Sequence, residues 1–244
     1  MHGTIDATYA SRFIWRGYDA YGNNHSAFQP SVDLDLFQTG FGFKVWMSRA
    51  NRSGFENSEW LTYTPYYKGM AFADERYATA YKVGYTYFSY PDEPRQGSMA
   101  SGGANGHAQE VFGGFAWPKL FGNGIVPSYA MFAYWPSESD AWNSNNGGWA
   151  HVFALDYDWM VPSLLGDGEQ AIHFKAWTVY NDSVGPAGAT ADHDFSHATF
   201  SASTAFAIAE DLTFVPGIYY QSSWDDSINS SDEYWWQLSL KYDF

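Results

Sequence analysis

The chain has 244 residues, a formal net charge of −15 and no cysteine, so disulfide frameworks and thiolate metal sites are excluded. Twelve basic residues against 27 acidic ones argue against a nucleic-acid surface and against docking on anionic lipid headgroups. Aromatic residues reach 20 %, yet mean hydropathy is −0.38 and no run approaches the roughly 18 apolar residues of a membrane helix.

Amphipathic strands reconcile these facts, because only every second side chain of a membrane strand has to face lipid, with Trp and Tyr settling at the interfaces. The start, Met1-His-Gly-Thr4, has neither a charged n-region nor an apolar h-region and reads as a mature form whose start has been replaced.

In chain order, alternation of apolar and polar residues predicts about twelve strands, near 3–16, 26–37, 41–50, 58–69, 76–90, 107–117, 124–135, 149–160, 169–181, 194–207, 211–222 and 233–244. Links between them alternate in length. Short ones fall at 38–40, 70–75, 118–123, 161–168 and 209–210, and longer polar ones at 17–25, 51–57, 91–106, 136–148, 182–193 and 223–232. That rhythm predicts one all-β domain over residues 1–244, a single antiparallel transmembrane β-barrel of about twelve strands with short periplasmic turns and long extracellular loops. The loop at 91–106 is the expected lumen-folding segment. Pro30, Pro65, Pro127 and Pro216 fall inside strands, where a missing N–H costs a ladder bond, and predict bulges or strand ends near the rims.

The closing strand sets the phase. Tyr234, Trp236, Leu238, Leu240, Tyr242 and Phe244 share one face of the pleat, and Gln237, Ser239, Lys241 and Asp243 share the other. Carrying this parity back turns Ile5, Ala7, Tyr9, Phe13 and Trp15 toward lipid and leaves Asp6, Thr8 and Arg12 inside. The same parity places Asp33, Asp35, Lys44, Trp46, Lys82, Glu110, Asp156, Asp158, His173, Lys175, His197, Gln237 and Lys241 on inward positions. Charges of both signs in a narrow bore either line a small aqueous channel or bridge it as an ion-pair network. Inward aromatics such as Trp46, Trp60, Phe112, Tyr219 and Trp235 either stack on a solute or fill space.

Chemistry finds less support. His193-Asp-Phe-Ser-His197 puts His193 and His197 on one strand face about 13 Å apart, too far to share a metal. Gly-x-Ser-x-Gly is absent, and no compact Ser/His cluster marks a hydrolase. The acidic loop at 223–233 offers hard oxygen ligands without the spacing of the twelve-residue Ca²⁺ loop. No cofactor, metal or catalytic residue is therefore assigned.

At Tyr9-Ala-Ser-Arg-Phe-Ile-Trp-Arg-Gly17, Gln29-Pro-Ser-Val-Asp33 and Gly40-Phe-Gly-Phe-Lys-Val-Trp46, the sequence resembles the TorF-like porin family of Gram-negative bacteria. The resemblance covers roughly the first 90 residues and implies an outer-membrane barrel acting as a porin, with Arg12 and Arg16 at the basic positions of the opening motif. The expectation is a channel for passive diffusion of small hydrophilic solutes, of weak and cation-leaning preference set by the acidic loops. Its expected partners are outer-membrane lipid and lipopolysaccharide, the solutes themselves, and assembly machinery that reads the C-terminal strand. A barrel-embedded lipid-modifying enzyme and a closed structural or adhesion barrel remain the alternatives.

Overall fold

A computed structural model describes residues 2–22, 25–55, 57–91, 106–138, 147–163, 168–182 and 191–244. Every regular element among them is a strand: β1 (His2–Ala10), β2 (Ile14–Trp15), β3 (Tyr18–Asp19), β4 (Ala27–Asp35), β5 (Phe41–Ala50), β6 (Trp60–Ala71), β7 (Thr79–Ser89), β8 (Ala108–Ala116), β9 (Val126–Pro136), β10 (Gly148–Pro162), β11 (Glu169–Asp182), β12 (Phe195–Thr204), β13 (Phe206–Ala209), β14 (Leu212–Ser223) and β15 (Glu233–Asp243). Each wall strand pairs antiparallel with its neighbours, and β1 pairs with both β4 and β15, so the sheet closes on itself. β12 and β13 are two parts of one wall strand interrupted at Ala205, while β2 and β3 form a separate hairpin. The result is a closed twelve-stranded antiparallel barrel. Closure satisfies every edge, as lipid requires of any spanning sheet.

The two chain ends meet at the short-turn rim. Gly3 and Phe244 exchange both backbone hydrogen bonds at 2.9 Å, and a Cβ on Gly3 would meet the Phe244 ring. Exposed apolar side chains fall on one parity along the wall, including Ile5, Val32, Phe153, Phe200, Ile218 and Leu240, with Met70 and Met160 on the other at the short-turn rim. Pro30, Pro65, Pro127 and Pro216 lie on this same outward parity. Of the four, Pro127 stands at a strand end, second in β9 at the short-turn rim. The other three lie in strand interiors without bulges: Pro30 and Pro65 each drop pairings toward one neighbour while the register on either side stays the same, and Pro216 keeps its place opposite Leu238. An outward proline costs one local ladder bond and leaves the pleat in phase.

The first strand is shorter than its alternation indicates. β1 stops at Ala10, and the chain then turns into the barrel, where Ile14–Trp15 and Tyr18–Asp19 pair around the two-residue turn Arg16-Gly17. Both turn residues have positive φ, 49° and 89°, as a tight two-residue hairpin turn demands. Phe13 and Trp15 consequently do not face lipid. Phe13, 6 % exposed, packs on Tyr21, Trp46 and Trp60, and Trp15 packs on Trp60, Phe88 and Tyr134, all with ring centroids within 6 Å. The loop expected to fold inward, at 91–106, lies almost wholly outside the described residues; among those described, it is residues 11–22 that fill the bore.

Candidate functional site

The interior divides into two levels. At the long-loop end the wall presents small side chains inward: Ala10, Ala27, Ala50, Ala108 and Ala150, all buried. Larger inward aromatics, Trp60, Phe88 and Tyr134, stand at the same level, and the hairpin segment packs into the space between them and the alanines.

Polar contacts fix the segment on opposite sides of the barrel. Arg12 forms an ion pair with Glu233 at the start of β15. Arg16 reaches Glu110 of β8 at 2.5 Å, and its guanidinium lies 3.9 Å from the Phe132 ring centroid and 4.6 Å from that of Trp15. The Gly17 carbonyl accepts from Gln221 Nε2 at 2.9 Å and from Asn229 Nδ2 at 3.1 Å. A Cβ on Gly17 would run into the His197 ring. The Tyr21 hydroxyl donates to Ser48 at 3.0 Å. Burial pushes the Tyr21 hydroxyl up to about 12, the Ser48 hydrogen bond opposing and the Glu59 charge adding a little.

Four enclosed atoms find no hydrogen-bond partner among the described residues: His197 Nε2 and Gln221 Oε1, on side chains that meet the hairpin tip, and Asn181 Nδ2 and Asp225 Oδ2. Leaving such a group unpaired costs about 1–3 kcal/mol. Ser196 Oγ is 2.8 Å from His197 Nδ1, a Ser–His contact that sequence reasoning did not foresee. Both residues are 1 % exposed, and no carboxylate among the described residues orients the far nitrogen, so the pair lacks both substrate access and the third member of a hydrolytic relay. His193, Phe195 and His197 do not share one face. A register shift opposite Val179 and Tyr180 turns Phe195 outward and His197 inward, and His193 instead pairs with Asp182 at 2.7 Å.

Below the hairpin, the short-turn half holds a polar vestibule of about 560 Å³, lined by residues that include Asp6, Asp33, Asp35, Lys44, Lys68 and Lys241. Asp33 stands opposite Lys44 in the β4–β5 register and accepts from the Tyr66 hydroxyl at 2.7 Å. Asp35 pairs with Lys68 at 2.9 Å, and Lys241 lies 4.0 Å from Asp6. Lys82 sets its ammonium 3.7 Å from the Tyr66 ring centroid. On the far wall Asp156 takes Lys175 and His173, each at 3.2 Å, and His173 also meets Asp158 at 2.7 Å. Gln237 pairs with Ala10 and Gly217 on the same inward parity.

The register thus sets Asp33, Asp35, Lys44, Trp46, Lys82, Glu110, Asp156, Asp158, His173, Lys175, Gln237 and Lys241 on the inner face of the wall. Arg12 differs, because it stands beyond the end of β1 on the inward-turning segment. Glu110 and Trp46 belong to the plugged level rather than the open one: Glu110 serves Arg16, and Trp46 packs on Phe13. Trp60 is filler for the same reason, while Tyr219 and Trp235 stack on each other at 5.0 Å and 8°. In the acidic last loop, Asp232 accepts from the Ser223 N–H and the Tyr220 hydroxyl, which hold its carboxyl below the usual carboxylate range, and Asp225 Oδ1 accepts from the Ser227 N–H. Among the described residues, no three His or carboxylate side chains converge as metal ligands.

No family model matches the sequence, and no curated protein does. Solved structures do match over nearly the whole chain. The KdgM porin in complex with disordered oligogalacturonate is 11 % identical, with 99 % of each chain covered and a TM-score of 0.53. The NanC porin is 9 % identical, with 98 % of each chain covered and a TM-score of 0.55. The COG4313 outer membrane channel from Pseudomonas putida F1 is 9 % identical, covering 100 % of this chain and 94 % of that one, with a TM-score of 0.54. At these identities the likeness is one of architecture: this chain has the fold of the outer-membrane porin-type channels.

Proposed function

We propose that this barrel sits in a bacterial outer membrane as a TorF-like porin and passes small hydrophilic solutes down their gradient without chemistry. The observation that carries the reading is the charged vestibule below residues 11–22. A barrel selected only as a filled scaffold has no use for a wide polar cavity holding paired charges of both signs. The inward charges named above would set the field a solute meets, with the acidic last loop favouring cations. Lipopolysaccharide around the wall and assembly machinery reading the strand that ends at Phe244 are the partners this reading implies.

Planar-bilayer recording tests it. Discrete current steps from folded protein are expected, and their absence, both from the parent and from variants that loosen the hairpin segment, would sink the channel. Lipid hydrolysis by the same preparation would favour an enzyme instead. A second reading, a closed structural barrel, draws on the aromatic cluster around Phe13, which makes one level of the bore a packed core.

A further inference from the structure

The hairpin segment is attached to the wall differently from the strands that surround it. Its two ends leave adjacent strands at the paired positions Ala10 and Ala27, so both anchors lie on one side of the barrel. β2 and β3 pair only with each other, and no sheet ladder joins them to the wall. At its start Ser11 exchanges hydrogen bonds with Trp236 of β15, its N–H donating to the carbonyl and its Oγ accepting from the N–H, each at 2.9 Å. Across the bore the segment is held by side chains: two arginine ion pairs, the Gln221 and Asn229 bonds to Gly17, the Tyr21 bond to Ser48 and the aromatic wedge. Among the described residues, no pairing between wall strands has to open for it to move.

We propose that residues 11–22 are a releasable plug that swings out of the bore as a unit on its β1 and β4 anchors. Two observations favour release over permanent filling. The tip seats against His197 and Gln221, whose Nε2 and Oε1 have no hydrogen-bond partner among the described residues, which makes the seated state costly, and both atoms gain water once the tip departs. Wall aromatics Trp60, Phe88 and Tyr134 share this level, but Ala10, Ala27 and Ala50 stand side by side on β1, β4 and β5, so departure of the plug opens space along that side of the bore. Glu110 and Glu233, which would be stranded charges in a dry core, face a hydrated bore in the released state. The consequence for conduction rests on the channel reading; the motion itself does not.

The absence of cysteine gives a silent background for the test. Ala108→Cys and, separately, Ala27→Cys place a thiol at wholly buried inward positions against the plug, and Ser53→Cys is an exposed control. Each is treated with a charged, membrane-impermeant methanethiosulfonate, and folded protein is followed by its heat-modifiable gel mobility. The expected result is slow labelling at the buried sites, accelerated at least tenfold by Arg16→Gln with the folded band intact. Labelling that appears only as the folded band is lost, or that Arg16→Gln leaves unchanged while the Ser53→Cys control reacts, would overturn the proposal and make the segment permanent core. Accelerated labelling without current steps supports the moving plug and removes the channel. Current steps without accelerated labelling do the reverse.

Discussion

Arg16 and Glu110 are 94 positions apart in sequence and meet at 2.5 Å across the bore, the arginine at a hairpin tip and the glutamate on the barrel wall. Side-chain exposure is 14 % for the arginine and 4 % for the glutamate, so neither charge has water enough to stand alone. Removing one partner strands the other, the situation in which a buried pair is expensive to break. A double-mutant cycle with Arg16→Met and Glu110→Gln, read by denaturant unfolding in detergent, should give a coupling of about 2 kcal/mol or more. The same cycle at Arg49 and Glu59, where the arginine is 58 % exposed, should give about 0–1 kcal/mol. Equal couplings at the two sites would mean that Arg16 is solvated and the bore open.

Leu238 and Gln237 are neighbours on β15 with opposite assignments, lipid and lumen. Arginine on the lipid face costs about 2–4 kcal/mol near the bilayer midplane and far less where water reaches it. Leu238→Arg should therefore lower folding stability in vesicles by that amount, while Gln237→Arg changes it by less than about 1 kcal/mol. The reverse order would mean the pleat is one residue out of phase along the whole strand.

Strand phase was legible in sequence because the period of 2 is rigid and each lipid-facing set is rich in aromatic and branched side chains. The closing strand shows this best, since Trp236 to Phe244 alternate without a break. The plug was not legible for a related reason. Phe13 and Trp15 continue the alternation of Tyr9, and an aromatic side chain reads the same whether it meets lipid or a packed interior. The local clue was Arg16-Gly17, a pair suited to a two-residue turn between Trp15 and Tyr18. Parity places His197 inward, where it stands, but the outward turn of Phe195 was hidden, because the bulge that separates the two leaves no mark in the alternation.

Gly17 combines a left-handed backbone, φ 89°, with close contact to the His197 ring, whereas a Cβ on Gly54, φ 93°, would meet nothing within 4 Å among the described residues. Gly54→Ala meets only the backbone penalty, roughly 1 kcal/mol. Gly17→Ala meets that penalty and a steric one, so the tip cannot seat. Unseating shows as a red shift in tryptophan emission, because Trp15 and Trp60 lose their edge contact at 5.2 Å, and as new protease cleavage within 11–22. Gly54→Ala should show neither; if both variants behave alike, the His197 contact does not hold the tip.

Tyr21 gives the plug a dependence on alkaline pH. Its hydroxyl is held neutral by burial, with the folded value raised from 10.0 to about 12. Below pH 10 the group is protonated whether the plug is seated or released, and its contribution to seating is complete. Between 10 and 12 the released form ionises while the seated form does not, so seating weakens by ~1.4 kcal/mol for each pH unit. Above 12 nothing further is lost. The absorbance titration at 295 nm of parent minus Tyr21→Phe isolates this one phenol among the 19 tyrosines. A midpoint near 12 is expected for a seated plug. A midpoint at the ordinary value of 10 would place Tyr21 in water and residues 11–22 outside the bore.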